Sequence, residues 1–145
     1  MPPRSHAEPL SQRCERVLLV DDERLITELL AERLAAQGFS VTVAHDGAEA
    51  YDRALADSPD LIISDLQMPY VDGLALCRML VSQDATRSIP VVLLTASSNV
   101  PDPLEYPNIR RVIRKPFCIS QIVTRSIELL EPSAQTVSRE SPVTH

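Results

Sequence analysis

Residues 61–73, LIISDLQMPYVDG, begin with a continuous apolar run and close it with a carboxylate, Asp65. An uninterrupted apolar run, as opposed to an alternating one, predicts a strand covered on both faces, as in a parallel sheet. A buried strand does not tolerate an unpaired charge, so Asp65 must lie where the strand leaves the sheet and meets other polar groups. Asp72-Gly73 then leads into a helix with Leu74, Cys77, Leu80 and Val81 on one face.

Working outward, the same pattern recurs at VLLV (17–20), VTVA (41–44), IPVVLLT (89–95) and RRVI (110–113). Helical patterns lie between these runs. Ile26, Leu29, Leu30 and Leu34 recur at helical spacing over 24–37, and Gly38 follows as the stop. Asp46 and Glu49 form a capping box for a second helix, which must end before Pro59. The last helix carries Ile119, Ile122, Val123, Ser126, Ile127 and Leu130 as its stripe. Strands alternating with helices imply right-handed βαβ units, hence a doubly wound α/β domain with a five-stranded parallel sheet and helices on both faces. Residues 97–109 break the rhythm: prolines at 101, 103 and 107 predict a fourth helix that is short or distorted.

Composition bounds the function. At 145 residues the chain suits one domain, burying about 68–70% of its unfolded surface. The net charge of −6 makes nucleic acid a poor partner through bulk electrostatics. No apolar run approaches the ~20 residues of a membrane span, and residues 1–13 lack the apolar stretch of a secretory signal, so a cytoplasmic location is expected. Cys14, Cys77 and Cys118 are widely spaced and read as apolar fillers, and His6, His45 and His145 form no metal motif. Residues 1–13 and 132–145 are polar and rich in Ser, Thr and Pro; they are expected to be flexible tails around a domain at 14–131, with no second domain following.

The informative polar residues stand just past strand ends. VLLV runs into Asp21-Asp22, LIIS into Asp65, VVLL into Thr95, and RRVIR into Lys115-Pro116. In a parallel sheet these positions share one edge, where a doubly wound fold binds its ligand. Convergent carboxylates repel: two charges about 4 Å apart cost on the order of 4 kcal/mol at an effective dielectric near 20. A hard divalent cation such as Mg²⁺ relieves this through oxygen ligands. A carboxylate beside Mg²⁺, a lysine and a hydroxyl suits phosphoryl transfer, with the carboxylate as nucleophile.

VLLVDDE, LIISDLQMPYVDG, VVLLTA and RKPF, in this order and spacing over about 15–131, resemble the receiver domain of two-component response regulators. The resemblance implies strand order 2-1-3-4-5, a flavodoxin-like sheet. It implies that Asp65 is the phospho-acceptor, supplied by a sensor histidine kinase or a histidine phosphotransfer protein. Asp22 and Asp65 match the Mg²⁺ carboxylates, with Asp21 close by or acting through water and the backbone carbonyl of Gln67 as a further ligand. Lys115 matches the lysine that pairs with the carboxylate and then the phosphoryl group, Thr95 the hydroxyl that senses it, and Pro116 a proline usually preceded by a cis bond. Such a chain phosphorylates itself from a donor and dephosphorylates itself, and is not an enzyme in the turnover sense.

Two departures concern output. An aromatic residue often stands three positions before the lysine, where this chain has Val112, and prolines occupy the place of the fourth helix. Readout is therefore expected to run through loop ordering rather than ring rotation, toward an output partner that the sequence does not name. Gln67 and Ser97, where the family tunes phosphoryl lifetime, are polar and compatible with either a short or a long one. Arg110, Arg111 and Arg114 read as solvated edge-strand residues. Two alternatives remain: a receiver-like protein-binding module that works without phosphate, and an aspartyl-phosphate phosphatase. The second usually places another acid two residues after its nucleophile, where Gln67 stands.

Overall fold

The computed structural model describes residues 15–68, 70–97 and 101–130. The strands are β1 (Arg16–Val20), β2 (Ser40–Ala44), β3 (Leu61–Asp65), β4 (Val91–Thr95) and β5 (Ile109–Arg114). The helices are α1 (Arg24–Ala36), α2 (Gly47–Asp57), α3 (Gly73–Val81) and α4 (Ile119–Leu130). All strand pairs are parallel, in the order β2-β1-β3-β4-β5. The expected sheet and order are thus observed, and the expected tails lie outside the described residues.

Burial follows strand position. Every residue of β3 and β4 is buried, whereas the edge strands β2 and β5 are largely half-buried or exposed. The pleat sends alternate side chains to opposite faces. Leu18, Val20, Ile62 and Val91 pack with Ala50 and Ala54 of α2 and Leu76, Cys77 and Leu80 of α3. Val17, Leu19, Leu61, Ile63, Val92 and Leu94 pack with Leu30 and Leu34 of α1 and Ile122 of α4.

Local chemistry sets the helix ends. The α2 capping box forms: Glu49 N–H donates to Asp46 Oδ1 at 2.8 Å, while His45 N–H, one residue before the cap, donates to Glu49 Oε1 at 3.0 Å. Asp72 caps α3 through Ala75 N–H at 2.8 Å. Leu76, unassigned in the sequence reading, takes the fully buried α3 position, and Val81 is only half-buried at the last turn.

Among the described residues there is no helix between β4 and β5. The segment from 101 to 108 is built of turns: Glu105 and Tyr106 N–H both donate to the Asp102 carbonyl, and Leu104 N–H donates to Asp102 Oδ1. Pro103 and Pro107 remove N–H donors and push the preceding residues out of helical conformation, so a single turn cannot propagate. Tyr106, 5% exposed, packs into the core beside α3. Its hydroxyl accepts from Arg78 Nη2 at 2.6 Å, and Asn108 Nδ2 donates to the Cys77 carbonyl at 3.2 Å.

Candidate functional site

The carboxyl ends of β1, β3, β4 and β5 bring the expected residues together. Asp21, Asp22 and Asp65 each place a carboxylate oxygen within 4.8 Å of the others. Asp21 and Asp65 are each 4% exposed, while Asp22 stands at the exposed rim. Lys115 reaches in from beyond β5 and sets Nζ 2.9 Å from Asp65 Oδ1. Beyond Lys115, that buried oxygen has no hydrogen-bond donor among the described residues. An all-oxygen donor set holding a buried acceptor with spare lone pairs fits a hard divalent cation such as Mg²⁺.

The loops are stitched by backbone hydrogen bonds. Asp21 N–H donates to the Ala44 carbonyl, Leu66 N–H to Leu94, and Lys115 N–H to Thr95. Asp21 does not cap α1. Its Oδ1 accepts from Glu23 N–H at 2.9 Å, and Glu23, the N-cap itself, makes no side-chain cap bond. Thr95 is 1% exposed, and its hydroxyl accepts from Ser97 N–H at 2.9 Å. Gln67 lies exposed in the loop after Asp65. The Lys115–Pro116 peptide bond is cis, as the resemblance implied. Val112, where the resemblance often has an aromatic residue, is half-buried on β5.

Two residues near the site escaped the sequence reading. Gly73 opens α3 so tightly that a Cβ would lie 2.6 Å from the Asp65 carbonyl oxygen and 2.9 Å from Leu66 Cα. His45 holds Nδ1 3.2 Å from the Asp21 carbonyl oxygen, with Nε2 3.4 Å from Arg24 Nη1. His45 follows the end of β2, so the strand-end rule that found Asp21 and Asp65 would also have found it.

Electrostatics reflect the crowding. Burial, reinforced by the charges of Asp65 and Asp22, pushes the Asp21 carboxyl up to about 6, against the opposing Glu23 N–H and Lys115. For Lys115, burial pulls downward. The hydrogen bond and charge of Asp65, with Asp21 and Glu23, outweigh it and raise the ammonium above its ordinary value. Cys77 is pushed up to about 12 by burial and is an inert filler.

The family model of the response regulator receiver domain matches residues 17–126. The chain belongs to this family. The response regulator MprA of Mycobacterium tuberculosis H37Rv is 34% identical over 128 residues, covering 87% of this chain and 55% of that protein. MprA of Mycobacterium bovis BCG is 35% identical over the same length. The receiver therefore spans about half the length of the curated relatives it matches. Among solved structures, Vibrio cholerae chemotaxis protein CheY4 matches with a TM-score of 0.74 at 27% identity, over 81% of this chain and all of that one. The receiver domain of Francisella response regulator 1452 gives 0.73 at 29%, over 82% and 98%. Among the described residues no helix of the receiver is long and apolar enough to cross a membrane.

Proposed function

We propose that this receiver accepts a phosphoryl group on Asp65 from the phosphohistidine of a sensor kinase or phosphotransfer protein, and that the modified form changes its binding to an output protein. The observation that carries this reading is the buried Asp65 carboxylate, 2.9 Å from the Lys115 ammonium and within 4.8 Å of two further carboxylates. A carboxylate oxygen of Asp65 attacks phosphorus and forms the O–P bond. The N–P bond of the donor breaks, and its electron pair stays on the imidazole nitrogen, which takes up a proton. Lys115 compensates charge on the phosphoryl oxygens, and the Thr95 hydroxyl, released from Ser97 N–H, donates to one of them.

Asp21, Asp22, Asp65 and the Gln67 carbonyl are the groups that hold Mg²⁺ in this proposal. Bound there, the ion supplies charge neutralisation at the phosphoryl oxygens. The carboxylates provide its site and position the nucleophile. The phosphoryl group ends on the chain itself and is later lost to water, so the receiver is a switch and not a turnover enzyme, acting in the cytoplasm beside its kinase.

Incubation with Mg²⁺ and acetyl phosphate tests the reading. Intact mass spectrometry is expected to show one base-labile phosphoryl adduct on the wild type and none on Asp65→Asn. Absence of the adduct on folded wild type would overturn the proposal in favour of a phosphate-independent binding module. Multiple turnover of varied phosphoesters would point to a phosphatase.

A further inference from the structure

At the end of the sheet opposite Asp65, the amino ends of β1 and β2 and the last turns of α2 border a cleft of about 260 Å³. Arg16, Ser40, Thr42, Arg53 and Asp57 line its polar side. We infer that this cleft binds a small phosphomonoester with a hydroxylated carbon body, at a site separate from the one that holds Asp65.

Local sequence opens the cleft. Across the sheet, Val91, Ile62 and Leu18 form one register row that faces α2 and α3, and Thr42 of the edge strand extends it. The row thus changes from apolar to hydroxyl at its last position. Arg16 and Ser40 pair two residues nearer the amino ends and face the same way, because the pleat repeats every two residues. Arg53 and Asp57 stand four apart on α2 and share one side of it. Large apolar side chains fill the rest of this interface, whereas Ser40 and Thr42 are too short to close it. Five steps along the chain separate Arg16 from Asp21, a span of about 16 Å along β1.

Hydrogen-bonding capacity and charge select the ligand. Among the described residues Arg53 has neither an ion pair nor a hydrogen-bond partner, and the Ser40 and Thr42 hydroxyls make no hydrogen bond. Arg16 is held in place: its backbone N–H donates to Asp60 Oδ2 at 2.8 Å and its Nη1 to the Asp57 carbonyl. The second bond uses one of five guanidinium N–H groups and neutralises none of the charge. Two guanidinium groups and two hydroxyls suit the terminal oxygens of a phosphoryl group, which the planar fork of arginine binds well. The Asp57 carboxylate only accepts and repels a bare dianion, so it calls for a hydroxyl on the body of the ligand. Leu18 and Pro59 offer apolar surface to the carbons between. The volume lies just below the range of about 300–1,000 Å³ common for small-molecule pockets, which keeps that body short.

Titration of isotope-labelled protein with glycerol 3-phosphate, followed by amide NMR without divalent cations, tests the inference. Shifts are expected to saturate in the millimolar range or below and to centre on Arg16, Ser40, Thr42 and Arg53. Glycerol alone lacks the anion and inorganic phosphate lacks the group for Asp57, so each should bind at least about tenfold more weakly. Arg53→Gln should weaken the ester by about tenfold or more. Arg53 is exposed, so the variant should keep its melting temperature, which serves as the folding control. Asp65→Asn should bind the ester as the wild type does, whether or not Asp65 accepts a phosphoryl group. Four results would each overturn the inference: no saturable shifts at these residues, shifts that Asp65→Asn abolishes, undiminished binding to folded Arg53→Gln, or glycerol or inorganic phosphate binding as tightly as the ester.

Discussion

Replacing Asp21 with asparagine should stabilise the metal-free protein. The substitution keeps an oxygen to accept Glu23 N–H and replaces the second, charged oxygen with a neutral NH2. Two carboxylate charges 4.8 Å apart repel by about 3.5 kcal/mol at an effective dielectric of 20. Independently, raising a carboxyl from 3.8 to about 6 corresponds to about 3 kcal/mol. Solvent at the Asp22 rim screens part of this, leaving on the order of 2 kcal/mol. For a chain of this size that raises the melting temperature by about 6 °C. The sign with pH follows from the raised carboxyl. The folded state holds its proton up to about pH 6 and the unfolded state only to about 4, so the penalty is fully present above 6 and fades as pH falls toward 4. Thermal melts of wild type and Asp21→Asn without divalent cations, at pH 7.5 and across this window, measure the gap. Mg²⁺ at about 100 times its Kd should add about 2.7 kcal/mol to the wild type and clearly less to the variant. A variant no more stable than wild type at pH 7.5, or a gap that persists unchanged at low pH, would refute the reasoning.

Lys115→Ala should slow acetyl phosphate-dependent modification of Asp65 by about 10²-fold, as expected for loss of one preorganised charge, followed by intact mass against time. Lys115→Arg should not restore the rate, because a planar guanidinium cannot occupy the place of a compact ammonium. Gly73→Ala should destabilise by about 1–3 kcal/mol in urea melts, since a Cβ 2.6 Å from the Asp65 carbonyl oxygen forces backbone to move. Unlike a remote core change, it should also weaken Mg²⁺ binding, because the displaced backbone is that of Asp65.

Much of the candidate site was legible because a parallel sheet converts order along the chain into proximity. Asp21, Asp65, Thr95 and Lys115 are far apart in sequence, yet each ends a run whose apolar character already said strand. Residues whose importance comes from another chain segment were harder to read. Gly73 appeared as the start of a helix, and only the packed structure presses it against Asp65. His45 looked like one of several scattered histidines until β2 came to lie beside β1 and put its Nδ1 3.2 Å from the Asp21 carbonyl oxygen.

The sequence by itself determined the alternation of strands and helices, the parallel sheet and the edge where its carboxylates gather. These follow from apolar periodicity and from residues at run ends, which are local properties. Tertiary structure decided which carboxylate bears the cost: Asp21 is buried beside Asp65 while its neighbour Asp22 is exposed, a difference set by loop path and not by residue type. It also decided what fills the gap between β4 and β5. The prolines forbade a long helix, but only packing could seat Tyr106 in the core under Arg78. That outcome depends on the shape left between α3 and β5, which no single segment encodes.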